Sequence, residues 1–258
     1  MSTILYSSPI FGPVRSRRLG VSLGINLMPP DGKICTFDCI YCECGRNSER
    51  RPSLRRPSRE EVCSSLKIKL EEMKNKKEVL DVITFAGNGE PTAHPDFEEI
   101  VDDTIRLRDF YYPQAGVSVL SNGTRLLESS VFNALLKVDN NIQKLDTVNL
   151  SFIETLNRPV GNYNLQDTIK AMKLFSGHII IQTLFLTGYC DGKEMDNTGD
   201  EYVLPWIEVL KEISPSLVMI YTLDRETPVK GLRKASPEAL DRIVNMLNYN
   251  GLKAKASY

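Results

Sequence analysis

The sequence predicts a single-domain α/β fold with a parallel sheet, and three observations indicate this class. Apolar runs typical of strands alternate with amphipathic runs along the chain, which is the order expected for repeated βα units. Six such units can be counted, two fewer than a full eightfold barrel contains. The length of 258 residues suits one α/β barrel domain. We therefore expect residues 1–258 to form one domain around one parallel sheet.

The strands are predicted from short apolar runs with β-type composition. They are residues 21–27, 80–86, 116–121, 145–151, 178–186 and 217–223. In parallel α/β folds ligands bind at the carboxyl ends of the strands. The residues that follow each strand are therefore the candidates for chemistry.

The helices are predicted from the amphipathic runs that follow the strands. They are residues 59–76, 96–109, 129–138, 165–175, 201–213 and 237–249. Ser58 with Glu61 three residues later forms a capping box at the start of the first helix. Ser236 before Pro237 starts the last helix, and Gly251 ends it.

Composition excludes several classes of protein. The 41% hydrophobic and 25% charged residues are typical of a globular protein, and no apolar run is long enough to span a bilayer. A formal net charge of −1 gives no global argument for nucleic acid or an anionic membrane. The first residues lack a basic segment followed by an apolar one, so we expect a cytoplasmic protein without a membrane partner.

Three of the six cysteines lie within eight residues, at Cys35, Cys39 and Cys42. An iron–sulfur cube has four irons that thiolates normally ligate, so three thiolates would leave one iron open to another ligand. Disulfides do not suit a reducing compartment or this low cysteine density. A structural zinc site stays open as an alternative if Cys44 is the fourth ligand, because both histidines are distant in sequence.

The spacing C-x3-C-x2-C, with an aromatic residue before the last cysteine, resembles the signature of the radical S-adenosylmethionine (radical SAM) superfamily. The resemblance implies a [4Fe-4S] cluster with S-adenosylmethionine (SAM) bound at the open iron. It also implies reductive cleavage of SAM to a 5′-deoxyadenosyl radical, a reductant such as flavodoxin or ferredoxin, and a partial (βα)6 TIM-like barrel. Tyr41, the aromatic residue, would lie beside the adenine.

The turn after the second predicted strand reads Gly87-Asn88-Gly89-Glu90. Glycines there allow close approach of the backbone to a ligand. The turn is similar to the Gly-Gly-Glu motif that binds the SAM amino group in the family, although Asn88 stands where the family has its first glycine. The resemblance therefore implies that this turn, and Glu90 above all, binds the cofactor.

Polar residues after the later strands complete the predicted cofactor site. The further candidates are Ser121, Asn122, Ser151, Arg158, Gln182 and Tyr221. The family often has a polar residue after the fourth strand, near the ribose and carboxylate of SAM, which points to Ser151. Arg158 could pair with the same carboxylate through its planar fork, or simply be solvated. The sequence assigns no catalytic acid, base or hydrogen donor.

The residues before the first strand and the loop after the cysteines bear on the substrate. The stretch 12–26, together with Gly-Asn-Gly-Glu-Pro-Thr at 87–92, resembles a branch of iron–sulfur oxidoreductases similar to wyosine-forming tRNA enzymes. Residues 1–19 form an N-terminal extension, and residues 43–58 form an arginine-rich loop. The arginines of this loop are Arg46, Arg50, Arg51, Arg55 and Arg56. They would contact RNA phosphates, or else belong to a solvated mixed-charge loop.

The sequence thus predicts a radical SAM enzyme that modifies a substrate, with tRNA or another RNA as the leading candidate. An activase or peptide-modifying radical SAM enzyme is the alternative within the same superfamily. A non-catalytic zinc-binding or cluster-binding structural protein is the alternative outside it.

Overall fold

The computed structural model describes residues 4–258. Its strands are β1 (Ile10–Ser16), β2 (Gly20–Ile25), β3 (Val82–Phe85), β4 (Gly116–Ser121), β5 (Asn140–Lys144), β6 (Ile180–Leu184), β7 (Leu186–Cys190), β8 (Lys193–Glu194), β9 (Leu217–Tyr221), β10 (Leu232–Lys234) and β11 (Ala254–Ser257). Its helices are α1 (Arg59–Asn75), α2 (Phe97–Tyr111), α3 (Ser129–Lys137), α4 (Leu150–Leu156), α5 (Leu165–Lys173), α6 (Asp200–Ile213) and α7 (Pro237–Tyr249). A short 3-10 turn spans Pro91–Ala93.

One curled sheet of eight strands forms the centre of the molecule. Its order is β1-β2-β3-β4-β5-β6-β9-β11, and every neighbouring pair from β2 to β11 is parallel. Strand β1 joins one edge antiparallel to β2. The prediction of a single α/β domain with a parallel sheet in a half-barrel is confirmed.

The sheet and helices share one large hydrophobic core. All four residues of β3 are buried, as expected for a strand covered on both faces. Helix α1 buries Val62, Leu66, Leu70 and Met73, whose spacing of three to four residues places them on one helix face. Within residues 4–258 no helix has the length and apolar character needed to cross a bilayer.

The capping box predicted at the start of α1 is present. The Glu61 backbone N–H donates to Ser58 Oγ at 3.3 Å, and the Ser58 N–H donates to Glu61 Oε2 at 2.7 Å. Because the Ser58 hydroxyl accepts from a backbone N–H that the helix leaves unpaired, Ser58→Ala is expected to destabilise the protein by about 1 kcal/mol. Urea unfolding measures this loss. The control Ser65→Ala, within the same helix, should change stability by less than about 0.5 kcal/mol.

The predicted strand at 145–151 is wrong. The strand lies earlier, at β5, and residues from Leu150 onward form α4. Strand β5 escaped prediction because its residues are polar, although Asn141 and Gln143 are fully buried and hydrogen-bond each other at 2.6 Å. Asn149, within the range assigned to a strand, caps α4 by accepting from Phe152 N at 3.0 Å.

Several short strands were also not predicted. The described part of the predicted extension 1–19 contains β1, which belongs to the central sheet; residues 1–3 lie outside the described residues. The range predicted as a strand at 178–186 divides into β6 and the start of β7, and β7 pairs with β8 and β10 in a small second sheet. The arginine-rich loop, residues 43–58, is described throughout and contains neither helix nor strand.

Candidate functional site

A cavity of about 480 Å³ lies inside the half-barrel and opens at the carboxyl ends of its strands. The loop after β2 contributes the three clustered cysteines to its wall, and the turn after β3 contributes Gly87, Gly89 and Glu90. Its volume is within the range typical of small-molecule sites. Of the predicted cofactor residues, those that line the cavity are Tyr41, Gly87, Gly89, Glu90, Ser121, Asn122, Gln182 and Tyr221.

The cysteine loop is fixed by backbone hydrogen bonds to other elements. Ile40 N–H donates to Leu156 O at 2.9 Å, at the end of α4, and Ile34 N–H donates to Asn88 O at 3.1 Å. Asn47 donates through its side chain to Cys35 O at 3.2 Å. The loop therefore has a defined conformation set by the turn after β3 and by α4.

The thiols of this loop differ in their surroundings. Burial raises the pKa of Cys35 to about 12. A hydrogen bond with the Cys44 thiol lowers the pKa of Cys42 to about 6, and the positive charge of Lys33 lowers it further. The same Cys42–Cys44 hydrogen bond raises the pKa of Cys44. Cys42 is therefore the thiol of this loop whose thiolate is best stabilised by the protein alone.

Lys33 is a buried cation within the cysteine loop. Its side chain is 1% exposed, and Nζ donates to Gly45 O at 2.8 Å and lies 3.5 Å from Asp38 Oδ1. Burial opposes its charge, but the negative charge of Cys42, with that of Cys35 and other neighbours, outweighs burial and raises the pKa of Lys33. The loop thus contains its own positive charge beside the thiolates.

Glu90 is buried and held in one orientation. Its Oε1 accepts from Thr92 N and Thr92 Oγ1 at 3.1 and 2.6 Å, and its Oε2 accepts from Asn122 N at 2.7 Å. Burial raises the pKa of Glu90, although these hydrogen bonds oppose the shift. A Cβ atom at Gly89 would lie 1.8 Å from Ile34 O, and its φ is +141°, so only glycine fits there.

Asn88 faces away from the cavity. Its side chain donates to Tyr6 O at 2.9 Å and to Pro29 O at 3.0 Å, and it accepts from Tyr6 N at 2.8 Å. These bonds fix the N-terminal segment against the turn. The family's first-glycine position therefore holds a structural amide here, and Asn88 is not among the residues that line the cavity.

Asn122 connects the carboxylate turn to the cysteines. Its side-chain amide donates to Thr36 Oγ1 at 2.8 Å and lies 3.6 Å from Cys35 Sγ. Ser121 Oγ accepts from Gly123 N at 3.1 Å and so shapes the turn. Ser121 ends β4 and Asn122 follows it directly, which explains their position beside Glu90.

A buried polar network that the sequence does not predict lies on the Cys39 side of the cysteine loop. Tyr41 Oη donates to Asp146 Oδ2, and Asn157 Nδ2 donates to the same oxygen at 2.8 Å. Lys144 Nζ lies 2.6 Å from Tyr41 Oη, and Asn157 Nδ2 lies 3.6 Å from Cys39 Sγ. Although burial opposes protonation, Asp146 raises the pKa of Lys144, so a cation faces the cavity at the end of β5.

Two predicted cofactor residues lie elsewhere. Ser151 is exposed on α4, because the strand that was expected to end there is a helix. Arg158 donates to Asp191 at 3.1 Å and lies 3.6 Å from Cys190 Sγ. Neither is among the residues that line the cavity. Lys144, at the end of the real fourth parallel strand, occupies the kind of position that was predicted for Ser151.

The donor atoms suit a cluster in the cavity. Among the described residues, no three side chains of His, Cys, Asp or Glu come together closely enough to hold one metal ion. The three cysteines instead share one cavity with the carboxylate of Glu90. Separate thiolates around a common space suit a group with several irons, in which each thiolate ligates a different iron.

Comparison with known proteins agrees with this geometry. The family model for the radical SAM superfamily matches residues 30–191, which include the cysteine loop, the Glu90 turn and strands β3 to β7. The chain belongs to the radical SAM superfamily. Membership implies a [4Fe-4S] cluster and SAM as cofactors and an enzyme of the radical SAM type. The family resemblance read from the cysteine spacing is thereby confirmed, while its wyosine-like branch stays a prediction.

Similar proteins and solved structures match most of the chain. The UPF0026 protein MJ1312 of Methanocaldococcus jannaschii is 30% identical over 92% of this chain and 70% of its own length. A radical SAM methyltransferase from Sphaerobacter thermophilus superposes with a TM-score of 0.67 at 17% identity, over 92% of this chain and 66% of that one. Streptococcus suis SuiB bound to SAM superposes with a TM-score of 0.64 at 13% sequence identity, over 91% of this chain and 50% of that one. The chain thus spans only half to two thirds of these two solved chains, and they share its partial-barrel fold.

Proposed function

We propose that this radical SAM protein binds a [4Fe-4S] cluster through Cys35, Cys39 and Cys42 and reductively cleaves SAM to modify a substrate. The observation that carries the proposal is that these thiols and the buried carboxylate of Glu90 line one cavity. When bound, the reduced cluster supplies the electron that breaks a carbon–sulfur bond of the SAM sulfonium.

The protein's own groups position the cofactor in this proposal. Glu90 is held by Thr92 and by the Asn122 backbone N–H. Its carboxylate would accept a hydrogen bond from the SAM amino group. Lys144 presents a cation to the same cavity, suited to the cofactor carboxylate. Gly87 and Gly89 let the turn pack against Asn26 and Ile34, and Tyr41 supplies a ring beside the third cysteine.

Anaerobic reconstitution tests the proposal. The protein is loaded with iron and sulfide, reduced with dithionite and mixed with SAM, and 5′-deoxyadenosine is measured by chromatography. We expect product that depends on dithionite and on the cluster. Absence of product from fully loaded protein would contradict catalysis and favour a non-catalytic cluster-binding protein.

Lys33 is expected to raise the reduction potential of the cluster. The positive charge of its ammonium acts on Cys42, Cys35 and Cys39, and a positive charge near a cluster favours the more negative, reduced state. Lys33→Met should therefore shift the midpoint potential to more negative values, as followed by electron paramagnetic resonance during a redox titration. Lys33→Arg should shift it less. An unchanged potential in Lys33→Met, with the control Lys69→Met on α1 also unchanged, would contradict this role.

The substrate is proposed to be tRNA or another RNA, contacted by the arginine-rich loop. Three of its arginines already have partners within the protein, and Arg50 is one of them. Arg55 donates to both Glu61 oxygens at 2.7 and 2.6 Å, and Arg56 Nη1 donates to Ala93 O at 3.1 Å. The RNA proposal therefore rests mainly on Arg46 and on Arg51, which is exposed.

Filter binding of tRNA across a salt series tests this substrate class. Affinity should fall steeply as salt rises, and replacing both Arg46 and Arg51 by alanine should reduce the slope of log K against log salt by about 2. The matched control replaces two distant surface arginines, Arg106 and Arg242. Absence of binding at low salt would contradict an RNA substrate and favour an activase or a peptide-modifying enzyme.

The cell compartment and the electron donor are also part of the proposal. All six cysteines are free thiols, which suits the reducing cytoplasm. We propose a small reductant such as flavodoxin or ferredoxin as the physiological electron donor, because cleavage of SAM consumes an electron that the chain does not supply.

A further inference from the structure

The turn between β1 and β2 contributes a second polar wall to the cavity. Arg18 lies in this turn, and its guanidinium carbon is 4.6 Å from the centroid of the Tyr221 ring, in a cation–π contact. Lys255 Nζ donates to Arg18 O at 3.4 Å and so ties the turn to β11. Both Arg18 and Tyr221 line the cavity. The turn thus bridges the two edges of the open half-barrel and fixes the guanidinium plane.

Two buried polar atoms of the cavity residues have no partner in the described part of the chain. They are Arg18 Nη1, a donor, and Gln182 Oε1, an acceptor. Buried polar groups in folded proteins are normally paired, because an unpaired one loses its hydration without compensation. A donor and an acceptor left unused in two residues that line one cavity are therefore suited to a ligand that supplies the complementary groups.

Neighbouring cations at this wall already have protein partners. Arg17 pairs with Asp224 at 3.3 Å, and Arg225 pairs with Glu43 at 2.8 Å. These pairs leave the Asp224 and Glu43 carboxylates engaged and therefore less able to neutralise Arg18. The buried Nη1 of Arg18 therefore stays available to donate a hydrogen bond to a ligand.

We propose that Arg18 and Gln182 bind the substrate through an anionic group, a carboxylate or a phosphate. A guanidinium suits both groups because its planar fork matches two oxygens. A neighbouring N–H or O–H of the same substrate would donate to Gln182 Oε1. The inference rests on the proposed function, and it changes the predicted role of Gln182 and Tyr221 from cofactor contact to substrate contact.

Magnetic resonance of small anions tests the subsite directly. Inorganic phosphate and ¹³C-labelled acetate are added separately to the reconstituted protein with SAM present, and the ³¹P and ¹³C line widths are measured. We expect at least one of the two anions to broaden on the wild-type protein, and the anion that does identifies the group. Arg18→Met should abolish this broadening, Arg18→Lys should weaken it, and Gln182→Leu should leave it for these simple anions.

Arg15→Met is the matched control, because it removes the same charge from an exposed position on the same wall. It should broaden the same anion as the wild type does. Equal broadening in Arg18→Met and wild type would overturn the proposal. Loss of SAM binding in Arg18→Met, measured by equilibrium dialysis, would also overturn it by assigning the guanidinium to the cofactor. If wild-type protein forms no 5′-deoxyadenosine but binds the anion through Arg18, the proposed function fails and the anion site stands.

Discussion

Replacing Cys35 by alanine is expected to remove the cluster and to abolish SAM cleavage. In the proposed cluster each of the three thiolates would ligate a separate iron, so neither Cys39 nor Cys42 could substitute for Cys35 without leaving its own iron. Loss of an outer-shell partner of a metal site already costs about 10- to 100-fold, and loss of a direct ligand should cost more than about 100-fold in 5′-deoxyadenosine formation. Iron and sulfide content and the absorption of the reconstituted protein measure the cluster itself.

Cys63→Ala is the matched control for this prediction. Cys63 lies in α1, away from the cavity-lining residues, and is partly exposed. Its replacement should preserve both cluster content and product formation. A Cys35→Ala protein with a full, active cluster would contradict the assignment of that thiol as a ligand. Cys44→Ala adds a further comparison, because a structural zinc site that used Cys44 would lose its metal, whereas the three-cysteine cluster would remain.

Glu90→Gln is expected to weaken SAM binding without removing the cluster. The change keeps the size of the side chain but removes the negative charge of the carboxylate that would accept a hydrogen bond from the SAM amino group. A hydrogen bond to a charged group contributes about 1.5–3 kcal/mol, so affinity should fall about 10- to 150-fold. Equilibrium dialysis with labelled SAM measures the loss. Glu128→Gln, an exposed carboxylate paired with Arg125, should bind SAM as the wild type does.

The pH dependence of SAM binding provides a second test of Glu90. Because burial raises the pKa of Glu90, its charge is lost at a higher pH than that of an exposed glutamate. Wild-type affinity for SAM should therefore decline as the pH falls through this raised pKa. The affinity of the Glu90→Gln protein for SAM should not show this decline. A wild-type decline that persists unchanged in Glu90→Gln would show that another group causes it.

Most helices were predictable because their signals are local. The capping box of Ser58 and Glu61 and the start of α7 at Pro237 depend on residues within a few positions of one another. Strand β5 was missed for the opposite reason. Its polar residues are stable in the interior because Asn141 and Gln143 bond to each other and Asn141 bonds to His178 O at 3.1 Å. Hydrophobic patterning carries no signal for a strand that pairs its polar groups internally.

The candidate site divides in the same way. The cysteine loop and the turn around Glu90 were found from short motifs, and the structure brings both to one cavity. Lys144 and Asp146 were missed because the strand that precedes them was placed several residues too late. Ser151 was chosen on the same wrong strand, and it lies exposed on α4.

The sequence by itself determined the family, the α/β class and the position of the clustered cysteines, because a metal-binding motif and an amphipathic period are written in neighbouring residues. Only the tertiary structure decided which polar side chains share the cavity. Arg18 meets Tyr221, and Tyr41 meets Asp146, through strand pairing and barrel curvature. Such contacts between residues that are distant in sequence depend on register and on the face each strand presents, which no local pattern specifies.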